Sequence, residues 1–366
     1  MWKTVKLGDI CEIKTGKKDV NEGSANGMYP FFTCAKDHTY SDVYSFDCEA
    51  ILIAGNGAVG QTSYYKGKFE AYQRTYVLSD FHTILPKLLL FILEGTLMAH
   101  LSSRVLGNTI PYIKKGMLEN FEFPLPPLAE QQRIVEKLDR AFEEIDRAIE
   151  ATEESIKKTK SLIDKSLNEL TSASGKEVYL SDVCSIESKL VDPKEEPFKS
   201  QYHIGAGNIL SMSNDVQEIK TAEEEGLISG KFPFNKNHVL YSKIRPYLRK
   251  VHLPSFEGIC SADIYPLVPD DQLLEREFLF YLLLSERFTD YAMKGSARAG
   301  MPKVNREHLF KFKFNLPFID EQVKLSRVTS KVFDEANNLS AIFMEKISLI
   351  AKVKSAILAQ ELKGPE

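Results

Sequence analysis

Val135, Leu138, Phe142, Ile145, Ile149, Thr152, Ile156, Thr159, Ile163, Ser166 and Leu170 recur at alternating spacings of three and four. That spacing lays one sticky seam along one face of an α-helix. Residues 130–170 contain neither Pro nor Gly, so the pattern predicts an unbroken helix of 41 residues, about 60 Å long at about 1.5 Å per residue. Its polar face sets Glu143/Arg147, Glu153/Lys157 and Glu154/Lys158 four apart with the acid first, the favourable order. A second helix is predicted over 321–362, with Leu325, Val328, Val332, Phe333, Ala336, Leu339, Phe343, Ile347, Ile350, Val353 and Ile357 on its apolar face. Pro126-Pro127 and Pro317 precede the two helices, and Gly175 and Gly364 follow them as stop signals. Helices this long with one exposed seam need a partner surface. An antiparallel pair is the economical solution, and two helices each lying on its own domain is the alternative.

The remaining sequence, roughly 1–125 and 177–316, alternates in shorter runs. Residues 50–54 and 71–78 predict strands around the turn Gly55-Asn56-Gly57-Ala58-Val59-Gly60, with 238–241 and 258–265 in comparable places further on. Residues 85–100 and 275–293 predict helices, so each mixed part is α+β.

The chain is written twice. Leu125-Pro126-Pro127-Leu128-Ala129-Glu130-Gln131 returns 191 residues later as Leu316-Pro317-Phe318-Ile319-Asp320-Glu321-Gln322. Ile110-Pro111 and Met301-Pro302, Leu118 and Leu309, and Phe142 and Phe333 keep that offset. Near the start of each half, Val5-Lys6-Leu7-Gly8-Asp9-Ile10-Cys11 resembles Val178-Tyr179-Leu180-Ser181-Asp182-Val183-Cys184 at an offset of 173. Phe142 and Phe333 are therefore expected at equivalent core positions. A length of 366 residues agrees, since a single core rarely grows past roughly 250–300.

Composition narrows the chemistry. Five cysteines without a CxxC pair disfavour a zinc cluster or a disulfide framework. No export signal is legible, and the longest apolar blocks, 88–93 and 278–284, are far short of a bilayer span, which predicts a cytoplasmic protein. Residues 55–60 carry the glycine spacing of a dinucleotide fingerprint, but 61–66 read as a strand where the crossover helix belongs, so a tight hairpin or substrate-facing loop is expected. There is no phosphate loop of the GxxxxGK[ST] kind, no HExxH, and no Asn or Asp before Pro126-Pro127 to make a methyltransferase motif. No catalytic residue and no metal site are expected.

The formal net charge of −4 decides nothing about a polyanionic partner, and local segregation says more. From 230 to 255 the chain holds Lys231, Lys236, Lys243, Arg245, Arg249 and Lys250 with no acid, interleaved with Phe232, Phe234, Tyr241 and Tyr247. That mixture suits a phosphate-contacting surface and also an ordinary solvated face. The first half offers Lys14, Lys17 and Lys18, then Tyr64, Lys66 and Lys68, then Gln73 and Arg74. Polar loops before the two proline pairs add Arg104 and Asn108 in one copy and Arg298 in the other. Arg and Gln are suited to guanine and adenine edges, Lys to phosphate. The expected DNA-binding residues are thus Lys17, Lys18, Tyr64, Lys66, Gln73, Arg74, Arg104, Asn108, Lys243, Arg245, Arg249, Lys250 and Arg298.

With Leu7-Gly8-Asp9, the two Leu-Pro boxes and the two spacer helices in this order, the whole chain resembles the specificity subunits of type I restriction-modification systems. The second box departs mildly at Phe318 and Asp320. The resemblance implies an α+β fold of two pseudo-repeated target recognition domains, 1–128 and 173–319, joined by a long antiparallel coiled-coil-like helix pair, 129–172 and 320–366. It implies that each domain reads half of a bipartite site in double-stranded DNA and that the helices act as a ruler. Two modification (methyltransferase) subunits and restriction (motor and nuclease) subunits are the implied partners. They would supply S-adenosylmethionine, ATP and Mg, and this chain no turnover. A helical scaffold that binds protein alone and a free-standing DNA-modification enzyme are the alternatives.

Overall fold

The computed structural model describes residues 2–101, 111–187, 189–295 and 302–363. The chain divides into two compact units, residues 1–151 with 346–366, and residues 152–345. Among the described residues no helix is long and apolar enough to cross a membrane, and no cluster of His, Cys, Asp and Glu is arranged to hold a metal.

The first unit opens with β1 (Lys3–Lys6), β2 (Glu12–Thr15), β3 (Tyr29–Phe32), β4 (Thr39–Ser41), β5 (Phe46–Ala54), β6 (Thr62–Ala71) and β7 (Thr75–Ser79). Next come α1 (Pro86–Ile92), prolonged through a π-helical turn into α2 (Met98–Leu101), then α3 (Lys115–Glu119), β8 (Glu122–Leu125) and the first part of α4 (Leu128–Thr171). A sheet of order β2-β7-β5-β6-β3-β4 carries the unit, and β1 pairs with β8 beside it. The single strand expected over 71–78 is two strands. β6 and β7 flank β5 on opposite sides, so the chain must cross the end of β5, and it does so in the turn 72–74. Gly57 and Gly60 of the turn between β5 and β6 have φ of +61° and +79°, and a Cβ on Gly60 would lie 2.2 Å from the Met98 sulfur. The glycines are thus required by backbone shape, as a tight hairpin demands.

The second unit repeats the plan: β9 (Lys176–Tyr179), β10 (Cys184–Ile186), β11 (Tyr202–Ile204), β12 (Lys220–Thr221), β13 (Phe232–Phe234), β14 (Val239–Ser242), β15 (Val251–His252), β16 (Gly258–Cys260) and β17 (Ile264–Pro269). Then follow α5 (Arg276–Leu284), α6 (Glu286–Lys294), α7 (Arg306–Phe310), β18 (Lys313–Leu316) and α8 (Ile319–Leu362). Its strands form two sheets, β10-β17-β14-β15 and β12-β11-β16-β13, with β18 paired to β9. The strand expected over 258–265 is broken by a turn at Ser261, because β16 and β17 belong to different sheets. The helix expected over 275–293 breaks at the fully buried Ser285, whose hydroxyl accepts from Phe288 N–H and restarts the chain as α6. Serine at a helix start competes with continuation of the preceding helix.

Both long helices contribute to both units, and within each unit they run antiparallel. In the first, Arg133 and Lys137 reach Glu361 while Asp146 pairs with Lys354. In the second, Thr159 Oγ1 lies 2.8 Å from Ser340 Oγ, and Ser166 donates to Thr329 at 3.3 Å. Each helix also packs on a domain core, so pairing and docking coexist. Phe142 meets Phe91 of α1 edge-on at 5.3 Å, and Phe333 meets Phe280 and Tyr281 of α5 at 6.1 and 5.7 Å. The two phenylalanines do occupy corresponding places.

The glutamine of each Leu-Pro box explains why the box is repeated. Gln131 accepts from Leu85 N–H and donates to the carbonyls of Thr83 and Pro126, at 2.8 to 2.9 Å. Gln322 does the same with Glu275 N–H and the carbonyls of Leu273 and Pro317, all at 2.8 Å. Both are essentially inaccessible to solvent. Gln322→Leu is expected to orphan these backbone groups and to destabilise the second unit by about 3 kcal/mol. Phe333→Ala is expected to cost about 3–5 kcal/mol through the cavity it leaves. Urea unfolding measures both, and a loss below about 1 kcal/mol for Gln322→Leu contradicts the clamp.

Candidate nucleic-acid interface

In the first unit the strand register collects one edge. Ala54 at the end of β5 faces Thr75 at the start of β7, and Thr15 at the end of β2 faces Tyr76. Gly16 N–H donates to Thr75 O at 3.3 Å, Gln73 N–H to Lys18 O at 3.0 Å, and Gly55 N–H to Arg74 O at 2.9 Å. Ile113 N–H closes on Gly55 O at 3.0 Å, and the Tyr76 hydroxyl donates to Ile113 O at 2.9 Å. Lys17, Lys18, Gln73 and Arg74, far apart in sequence, therefore stand at one end of one sheet. Lys18 pairs with Glu22 at 2.6 Å, and Gln73 donates to Asp19 at 3.3 Å. Lys17 and Arg74 are exposed and have no side-chain partner among the described residues.

Tyr64 and Lys66 are not brought there. They lie within β6 opposite Ile51 and Glu49, roughly 10 and 17 Å along the strand from that end at about 3.4 Å per residue. Glu49 engages both, accepting from the Tyr64 hydroxyl and lying 3.9 Å from Lys66 Nζ. Its hydrogen bond pushes the Tyr64 phenol up to about 12.

The second unit builds the same edge from different side chains. Lys243 N–H donates to Asp263 O at 3.0 Å, Val304 N–H to Lys243 O at 2.8 Å, and the Tyr265 hydroxyl to Val304 O at 3.1 Å. Lys243 Nζ rests 5.0 Å from the centre of the Tyr265 ring, and Lys303 pairs with Asp263 at 3.0 Å. Burial pulls the Lys243 ammonium below the usual lysine range, and the positive charges of Lys303 and Arg306 add to that against the opposing pull of Asp263. Three cations thus crowd one acid, an arrangement that welcomes an anion. Arg245, exposed and without a side-chain partner among the described residues, stands beside them in the left-handed region at φ +49°, where its N–H donates to Pro302 O at 2.9 Å.

Arg249 and Lys250 turn away from this role. Arg249 donates to Asp164 of α4 and lies 3.4 Å from Glu286 of α6, with its side chain 15% exposed. Lys250 donates to Ala206 O at 2.8 Å, and burial, then nearby Arg245, draw its ammonium below the usual lysine range. The local acid-free run hid this because both partners of Arg249 come from distant helices. Arg104, Asn108 and Arg298 lie outside the described residues. Lys303 and Arg306 also stand at this edge and were not among the residues expected from sequence; the 191-residue offset, which pairs Arg306 with Lys115, was the available signal.

Each of the two α+β units thus carries cations along the same backbone edge of its sheet. The family described as type I restriction modification DNA specificity domain matches residues 1–158 and again 175–342, and the chain belongs to it. It is 31% identical to the type I restriction enzyme EcoDI specificity subunit of Escherichia coli, over 99% of this chain and 88% of that one. It is 25% identical to the type I restriction enzyme MjaVIII specificity subunit of Methanocaldococcus jannaschii, over 99% and 92%. A chain solved in work on complex assembly and conformational transition of the type I R-M system shares the fold, with a TM-score of 0.70 at 16% identity over 99% of this chain and 98% of that one.

Arg249→Ala is expected to lower the stability of the second unit by about 2 kcal/mol by leaving Asp164 without its charge-assisted bond. Thermal unfolding tests it, and a variant as stable as the parent returns Arg249 to the list of candidate ligands.

Proposed function

We propose that the chain is the DNA-recognition subunit of a type I restriction-modification complex, each unit reading half of a bipartite duplex target. The observation that carries this is the recurrence of one sheet edge in both units with free or crowded cations on it. Phosphate oxygens satisfy Lys243, Lys303 and Arg306 together, while exposed Arg74 and Arg245 have the reach and donor geometry for base edges.

The long helices serve two further parts of the proposal. An apolar stripe on α8 stays exposed, with Val328, Leu339 and Ile342 in the second unit and Leu349 and Val353 in the first, and it suits the docking of modification subunits. Those subunits carry S-adenosylmethionine and flip the base to be methylated, and restriction subunits carry ATP and Mg. This chain contributes sequence choice and no turnover. An uninterrupted α4 transmits distance and rotation, so spacing between half-sites becomes part of the target.

Two measurements test the reading. Lys243→Ala, Lys303→Ala and Arg306→Ala are each expected to weaken all DNA about equally and to lower the salt slope of binding by about one unit. Unchanged affinity and slope in all three remove this edge from the interface. Inserting four residues after Ser155 lengthens α4 by about 6 Å. The assembled complex is then expected to prefer a longer spacer with the same half-site bases, measured by methylation of a library randomised in bases and spacer. Changed bases with an unchanged spacer reject the ruler.

A further inference from the structure

The two edges share a backbone frame and differ in what it displays. Three hydrogen bonds superpose Gly55 on Lys243, Ile113 on Val304, Tyr76 on Tyr265, and therefore Arg74 on Asp263. Opposite charges occupy one structural position.

Arg74 offers donors alone, is exposed, and has no side-chain partner among the described residues. A guanine edge in the major groove offers two acceptors, O6 and N7, at the spacing of the guanidinium fork. Asp263 offers acceptors alone. Phosphate repels a carboxylate, so an acid held at the centre of a cationic edge by Lys303, and near Lys243 and Arg306, has no use for the backbone of DNA. Its side chain is still 43% exposed, and the edge that a carboxylate reads is the N4 amino group of cytosine. Resting on the reading of one half-site by each unit, we propose that positions 74 and 263 are equivalent base-reading positions, Arg74 taking a guanine in one half-site and Asp263 a cytosine in the other. The target is asymmetric in consequence, although the frame is repeated.

Selection of a duplex library randomised in both half-sites by the full chain assembled with its modification subunits tests this. Arg74→Gln is expected to replace guanine by adenine at one position of one half-site, with a loss of guanine preference of about 5- to 150-fold, and to leave the other half-site unchanged. Asp263→Asn is expected to replace cytosine by adenine at one position of the other half-site alone. Arg74→Lys and Asp263→Glu, closer in chemistry, are expected to keep the parent base while binding less tightly. Weaker binding with unaltered base preference in Arg74→Gln and Asp263→Asn, or a change in both half-sites from either one, overturns the assignment. A parent complex that enriches no sequence overturns the half-site reading itself, whereas two enriched half-sites that all four variants leave intact overturn only the two positions.

Discussion

In each unit a long helix leaves a sheet-bearing domain at an angle that has to be fixed, and a buried carboxamide fixes it. Gln131 and Gln322 each bind one N–H and two carbonyls that come from the start of the helix and from the turn before the domain's own helix. A primary amide is the group for this task, since it carries acceptor and donors on one rigid plane. Buried as deeply as these are, it cannot be exchanged for an apolar residue without stranding backbone groups. The prolines just before each helix stiffen the same joint.

Beyond the joint, the seam changes character. Near its ends it is apolar, with Leu138 and Phe142 in one unit and Leu167 and Leu170 in the other fully or nearly buried. Between them Thr152, Thr159 and Ser166 recur every seven residues and are also buried. Hydroxyls there find partners in Ser340 and Thr329, so the seam gives up some apolar contact for bonds that depend on alignment. Buried polar groups in a helix seam favour one register over others, which suits helices whose proposed task is to hold a distance.

The sheet edges show how one frame serves two recognition tasks. Backbone bonds and the tyrosines Tyr76 and Tyr265 build the same edge twice, and positions 74 and 263 enter these contacts through their carbonyls and not their side chains. Side chains at the edge are free to diverge because the frame does not use them. Arg249 makes the contrast: one turn beyond Arg245 along the chain, it is held by Asp164 and Glu286 and belongs to the stability of its unit.

Periodicity alone determined the two long helices within two residues at either end, since an apolar stripe sustained over ten turns without Pro or Gly has no other outcome. The repeat, the equivalence of Phe142 and Phe333, and the α+β character were equally legible, because each is a pattern along the chain. Grouping Lys17, Lys18, Gln73 and Arg74 at one edge was visible only as composition until strand order set β2 and β5 on either side of β7. The breaks at 72–74, Ser261 and Ser285 escaped the pattern because a crossover or a buried cap is decided by which strand or helix lies alongside. Charge suffered most: Lys66 and Arg249 read as free cations in sequence, and Glu49, Asp164 and Glu286 engage them through contacts that a linear pattern does not contain.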